Sequence, residues 1–283
     1  MHVGVFSYNT EYGIRVDDLA RAAEERGFES LWASEHSHIP AGSNIPYAGA
    51  GELPKATFHV ADPFVSLAVA AAVTTKIKLG TAVCLVTEHD PITLAKTVAT
   101  LDFLSDGRFL FGVGGGWNAE EVANHGIPFK SRWKIVRERV EAMKAIWTED
   151  EASYHGEFVN FERIISFPKP VQKPFPPIIM GSANEFARKR AARYCDGWLP
   201  VDMRFDDLAA AIVDLHRKLE EFDRDPERFP VSVLCVDADT TPDTLRRYRD
   251  IGMTRAIVMA TDQSPDAVLA RLDTFVDVAA EVA

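Results

Sequence analysis

Arg108-Phe-Leu-Phe-Gly-Val-Gly-Gly-Gly-Trp117 decides how the rest of the chain is read. Arg108 to Phe111 has the length and apolar character of a buried parallel strand, and it runs straight into glycines at 112, 114, 115 and 116. Backbone N–H groups in such a stretch can approach a ligand closely, because no Cβ stands in the way. The nearest look-alike is the dinucleotide fingerprint. That pattern needs a third glycine where Trp117 stands, and it belongs to the first strand–helix unit of a Rossmann half. Here the stretch closes the fourth strand of a longer series. In that setting it points to a phosphate or cofactor tail at the mouth of a barrel.

Working outward, short apolar runs alternate with amphipathic stretches along the whole chain, the pattern of repeated βα units. The runs predict strands at Val3–Ser7, Ser30–Ala33, Ile77–Val83, Phe109–Val113, Pro177–Met180, Gly197–Val201, Val231–Val236 and Ala256–Met259. Asp62-Pro63, Asp90-Pro91 and Ser264-Pro265 each read as an N-cap followed by proline at the first helical position. Gly27 is a natural C′ residue for a first helix over Val16 to Arg26. The expected fold is α/β, one (β/α)₈ TIM barrel over residues 1–283, with the active site where strands end and βα loops begin. Two insertions interrupt the alternation, Ser37–Val60 after strand two and Glu149–Pro176 before strand five. Loops this long are expected to be lids or binding loops. Within the second, Tyr154-His-Gly-Glu-Phe158 resembles a hairpin.

Composition narrows the function classes. The chain has 283 residues, 47% of them hydrophobic, which suits one large barrel. Its 31 basic and 42 acidic residues leave a net charge of -11, which argues against nucleic acid and anionic membrane as partners. A phosphorylated cofactor needs only local donors and stays compatible. Cys84, Cys195 and Cys235 each lie in or beside apolar segments and read as buried hydrophobes in a reducing compartment. No apolar run approaches the roughly 18 residues of a membrane helix. No basic leader with an apolar core precedes the first strand. The expected location is cytoplasmic.

Candidate chemistry gathers at strand ends. Trp32-Ala-Ser-Glu-His-Ser-His38 ends strand two at the rim, where His36 can donate or accept a proton and Glu35 can orient or tune it. A plainer reading has Glu35 and His36 only satisfying backbone groups there. His38 reads as structural, with substrate contact as the alternative, and His59 as a substrate-loop residue. Gly181 and Ser182 end strand five just before a helix and offer an anion site beside Gly114, Gly115 and Gly116; the alternative is that Ser182 or Asn184 merely caps that helix. Glu120 and Glu121 look like first-turn acids that complement a helix dipole. Arg132, Arg137, Glu138 and Glu141 read as a solvated ion-pair face. No metal-ligand spacing and no Gly-x-Ser-x-Gly elbow is present, so neither a metal site nor serine hydrolase chemistry is expected.

Taken together, several segments resemble the luciferase-like flavin and deazaflavin oxidoreductases, most of all the branch that uses coenzyme F420. They are Trp32-Ala-Ser-Glu-His-Ser-His-Ile-Pro40, Asp62-Pro-Phe64, Leu79-Gly-Thr81, Leu101-Asp-Phe-Leu-Ser105, Gly107-Arg-Phe109, Gly112-Val-Gly-Gly-Gly-Trp-Asn118, Tyr154-His-Gly-Glu-Phe158, Pro168-Lys-Pro-Val-Gln172 and Pro176-Pro177. The resemblance spans nearly the whole chain and is strongest up to Ser182. It implies a deazaflavin ring in the barrel mouth, with Glu35 touching it and His36 transferring a proton to or from substrate. It also implies a non-prolyl cis peptide at Ala82–Val83 behind the ring. The tail phosphate would lie on Gly114, Gly115, Gly116, Gly181 and Ser182. Sugar-phosphate dehydrogenases of this group carry an acid directly after the strand-four glycines. Trp117 in that place implies a flat apolar wall and an apolar or aromatic substrate instead.

The expected function is therefore hydride transfer between F420 and a small organic molecule. The first alternative is an FMN-dependent monooxygenase fed by a partner flavin reductase, and the second a non-catalytic flavin-binding barrel. Relatives of this kind are often homodimers, and Ala61, Ala68, Ala70, Ala71 and Ala72 would allow close helix packing at an interface or within the barrel.

Overall fold

The computed structural model describes residues 1–42, 53–236, 240–260 and 264–283. Part of the first insertion, residues 43–52, lies outside them. The strands among the described residues are β1 (His2–Ser7), β2 (Ser30–Ala33), β3 (Lys78–Thr81), β4 (Cys84–Leu85), β5 (Phe109–Gly114), β6 (Ala152–His155), β7 (Asn160–Ile164), β8 (Ile178–Gly181), β9 (Gly197–Leu199), β10 (Ser232–Cys235) and β11 (Arg255–Met259). The helices are α1 (Val16–Glu25), α2 (Pro63–Val73), α3 (Pro91–Leu104), α4 (Ala119–Asn124), α5 (Arg132–Thr148), α6 (Glu185–Tyr194), α7 (Leu208–Glu220), α8 (Pro242–Asp250), α9 (Pro265–Asp273) and α10 (Val276–Val282).

Eight strands form a parallel sheet in the order β10-β11-β1-β2-β3-β5-β8-β9. The circle is completed by bridges from Trp198 to Val231 and from Val201 to Leu234. All eight predicted strands are therefore present. The third is the exception in shape: it breaks after Thr81, and β4 pairs separately with the end of β5. The predicted caps are made as expected. Asp62 accepts from Val65 N at 2.8 Å and Asp90 from Thr93 N at 2.9 Å, while Gly27 takes a φ of 78° after α1.

Two cores result. The larger lies between strands and helices and holds residues such as Leu31, Leu67, Leu94, Phe111 and Trp198. The smaller fills the barrel itself with Phe6, Trp32, Leu110, Ile179, Leu199, Leu234 and Ile257, one inward residue from each strand except β3. There β3 supplies Gly80, and a Cβ on it would lie 2.3 Å from the Trp32 ring. The indole takes that space, so the barrel is packed rather than hollow. Below it, Arg255 donates to both Glu29 oxygens (2.7 and 2.8 Å) and to Ser232, closing the floor. Burial alone would raise the Glu29 pKa, but the Arg255 contact outweighs it and holds the carboxyl at about 2.

The second insertion does not behave as a lid. Its hairpin, β6 and β7, lies along α5, where the buried Glu138 carboxylate accepts from Phe158 N and Val159 N. Glu138 is thus an anchor for the hairpin and not part of a solvated ion-pair face. Further on, Gln172 bonds Asp102 and the carbonyl at the start of β5 (Phe109). No residue of 149–176 lines the barrel mouth.

Candidate active site at the barrel mouth

A cavity of about 570 Å³ opens over the C-terminal ends of the strands. Of the predicted site residues, it brings together Glu35, His36, Ala82, Val83, Gly114, Gly115, Gly116, Trp117, Gly181 and Ser182. The Ala82–Val83 peptide is cis. Val83 rises into the mouth between two glycines: a Cβ on Gly114 or Gly181 would stand 2.6 or 2.7 Å from its methyl groups. These glycines make room for the Val83 shelf. The cradle fits a flat ring lying against small side chains and backbone.

His36 forms the polar wall. Its Nδ1 faces both oxygens of Glu121, at 2.9 and 3.1 Å, and Trp117 Nε1 donates to its Nε2 at 3.3 Å. A nitrogen that accepts from an indole N–H carries a lone pair, so the ring proton sits on Nδ1 and is donated to Glu121. Glu121 does stand in the first turn of α4, as the sequence reading had it, but its partner is the His36 ring as well as the helix dipole. Asn118 caps α4, and that turns Glu121 inward, fully buried behind His36.

Glu35 is buried and points sideways. One oxygen accepts from Leu85 N at 2.5 Å and the other meets His89 Nε2 at 2.8 Å. Of its two readings, the backbone-satisfying one describes these contacts. Desolvation would lower the His89 pKa, but the hydrogen bond and charge of Glu35 outweigh it, and the net shift is upward. Cys84 Sγ completes a group whose polar atoms all lie within 4.8 Å of one another. Burial first, with the Glu35 charge beside it, pushes the thiol pKa well up. Nearby Glu88 has a side chain only 2% exposed, and neither of its oxygens has a hydrogen-bond partner. Burial first and the Glu121 charge second raise its pKa to about 8. A neutral Glu88 spares Glu121 a buried like charge.

The opposite wall carries the residues read from the sequence as an anion site. Asn184 caps α6 by accepting from Ala187 N, so the capping alternative falls to Asn184 while Ser182 faces the cavity. Arg132 also lines this end, and its Nε is buried without an acceptor. The sequence placed Arg132 on an ion-pair face, and nothing in its i, i+4 spacing distinguishes the two settings. An orphaned guanidinium N–H beside glycine backbone and a hydroxyl fits a phosphate. His38 and His59 do not line the cavity. His38 is bound by Ser37 and Asn124, and His59 pairs with Glu11 at 2.6 Å. From the first insertion, Thr57 reaches the cavity instead.

Fold and site together define a parallel (β/α)₈ barrel with a ring shelf, a buried acid–histidine pair and an anion cradle at one mouth. The model of the luciferase-like monooxygenase family matches residues 1–279, and the chain belongs to that family. A protein of Mycobacterium tuberculosis of uncharacterised function is 39% identical over 278 residues, 96% of each chain. An F420-dependent glucose-6-phosphate dehydrogenase of Kineococcus radiotolerans is 30% identical over 202 residues, 69% of this chain and 54% of that one. An FMNH₂-dependent dimethylsulfone monooxygenase of Pseudomonas putida is 33% identical over 150 residues, 52% and 41%. In fold, the chain is similar to the monooxygenase RslO1 of Streptomyces bottropensis (TM-score 0.79, 19% identity, 98% of both chains). It is equally similar to an F420-dependent secondary alcohol dehydrogenase in complex with an F420-acetone adduct (TM-score 0.79, 18% identity, 100% and 99%). The family thus has F420- and FMN-dependent members. Among the described residues no helix is long and apolar enough to cross a membrane.

Proposed function

We propose that this chain is an oxidoreductase moving a hydride between coenzyme F420 and a small organic substrate at the barrel mouth. The observation that carries the reading is the buried Glu121–His36 pair beside the shelf. Hydride transfer at an alcohol or carbonyl carbon needs a proton moved at the neighbouring oxygen, and His36 Nε2 is the basic atom that would move it once a substrate oxygen takes the place of the Trp117 N–H. Glu121 then stabilises the imidazolium that forms and keeps the ring in the required tautomer. Trp117 orients the imidazole through Nε1 and gives the substrate an apolar wall. Glu35 and His89 hold the β4 backbone behind the shelf, a positioning role. Arg132, Ser182 and the Gly114–Gly116 backbone would hold the phosphate. The deazaflavin, when bound, supplies the hydride-accepting or hydride-donating carbon.

Titration of the purified protein with oxidised F420 and with FMN, followed by ligand fluorescence, tests the assignment. Preferential F420 binding is expected, with turnover on secondary alcohols or reducible carbonyls. Preferential FMN binding together with oxygen uptake in the presence of a flavin reductase would overturn it in favour of a monooxygenase. Binding of either ring with no redox turnover, and with His36 dispensable, would leave a non-catalytic barrel.

A further inference from the structure

The bond that orients His36 also turns one side of its ring away from the mouth. The Nδ1–H donates to Glu121, whose side chain is wholly buried, and the His36 side chain is itself only 11% exposed. On the reading proposed above, His36 takes a proton at Nε2 in each turnover, on the face that substrate and cofactor cover. The proton gained must leave by another route before the next cycle.

A polar seam continues behind Glu121. Glu121 and His125 stand four residues apart, one turn along α4, and therefore on one face. His125 Nε2 lies 3.4 Å from Glu88 Oε2 and 2.7 Å from the Ser37 hydroxyl, which lies 2.9 Å from His38 Nδ1. Exposure rises along this seam. The Glu88 side chain is 2% exposed and that of His125 28%, while Ser37 is at the surface.

Glu88 is the costly member. A buried carboxyl whose oxygens make no hydrogen bond is harder to keep than an apolar side chain of the same size. What the carboxyl alone offers is a proton that can come and go. The groups facing it are Glu121 and His125 from α4, Ser37 and Glu35 from the segment after β2, and its neighbour His89. Burial first and the Glu121 charge second hold its pKa at about 8, so that proton exchanges near neutrality. Burial first and the His38 charge second lower the His125 pKa, which leaves a neutral imidazole beside Glu88 to accept it.

We infer that Glu88, with His125 and Ser37, is the rear proton outlet of the His36–Glu121 pair. It rests on the reading of His36 as the proton-moving group. The substrate proton enters at Nε2, and the Nδ1 proton passes to Glu121. Glu88 hands its own proton to His125, and so to solvent, and takes the next from Glu121. Glu88 and Glu121 share no direct hydrogen bond, so that step runs through a bridging water, the usual partner of a buried polar group. One proton enters and one leaves, and the seam returns to its starting state.

The test reads the path first in the apoprotein, by NMR of isotope-labelled histidine, as exchange of the His36 Nδ1 proton with water. Glu88→Gln keeps the shape of the side chain but cannot pass a proton on, and exchange should slow roughly tenfold or more. His125→Gln, at the exposed end, should act in the same direction, with native circular dichroism in both variants. In the cofactor-loaded enzyme, steady-state turnover of Glu88→Gln should fall by a similar factor while the single-turnover hydride step keeps its rate. Imidazole buffer, at constant pH and ionic strength, should restore that turnover. Native exchange in Glu88→Gln, or slowed turnover that imidazole does not restore, would overturn the outlet. Failure of the native chain to bind F420 would remove the cofactor reading alone, because exchange in the apoprotein still decides the path.

Discussion

The two ends of this barrel treat buried charge in opposite ways. At the floor, Arg255 is matched to Glu29 and Ser232, and Arg108 spends its guanidinium on Thr74, Ser105 and the carbonyls of Ala71 and Ile77. At the mouth, the buried Nε of Arg132 has no acceptor, and behind it neither oxygen of Glu88 has a hydrogen-bond partner, although His125 Nε2 stands 3.4 Å from one of them. The same contrast appears in proton affinity: the Glu29 pKa is held at about 2, that of Glu88 is raised to about 8. A floor that satisfies its polar groups stabilises the fold. At the mouth, the unsatisfied Arg132 Nε lies where a ligand could meet it.

The sharpest break in this contrast is His36→Ala. Turnover should fall roughly 10²–10⁴-fold with cofactor affinity nearly unchanged; unaltered turnover would remove His36 from the mechanism. Next comes Glu29→Gln, which strands a largely buried Arg255 and should destabilise the fold by about 3 kcal/mol without touching cofactor affinity. In the native chain the Glu29 contribution is present above its unfolded pKa, near 4.5, and is lost as pH falls toward 2, so acid melts should show it.

Glu88 has the reverse sign. Its folded pKa lies above its unfolded one, so the native state binds the extra proton and stability drops as pH rises from 4.5 to about 8. At up to about 1.4 kcal/mol per pH unit, the loss reaches at most roughly 5 kcal/mol, and Glu88→Gln should flatten it. A thermal-melt series over that window in both proteins decides the matter; identical slopes would refute the raised pKa. The smallest effect is expected from Glu121→Gln, which keeps an acceptor for His36 Nδ1 but removes the charge. Turnover should fall on the order of 10–100-fold with cofactor affinity unchanged, and an unaltered rate would remove the Glu121 charge from the mechanism.

Much of the floor and half of the mouth were legible in the sequence, for a physical reason. Strands leave an apolar run whatever they surround, so all eight could be counted, and His36, Trp117 and the glycines could be placed by standing at strand ends. The break at Thr81 could not be seen, because Thr81, Ala82 and Val83 are small or β-branched residues that suit a continuing strand and carry no turn signal. Glu121, Glu88 and Arg132 were hidden for another reason. A first-turn acid, a turn acid and a helix arginine look the same in sequence whether they face solvent or a cavity, and only the packing of α4 and α5 on the barrel decides. The Glu149–Pro176 insertion misled by its length, which says nothing about the end of the barrel it serves.

One feature of the interior bears on the order of binding. Trp32 packs against Gly80 and fills the barrel beneath the mouth. On the reading proposed above, a ring on the Ala82–Val83 shelf would lie beneath a substrate bound beside His36. Steady-state kinetics should then be ordered, with substrate and product exchanging over a cofactor that stays in place.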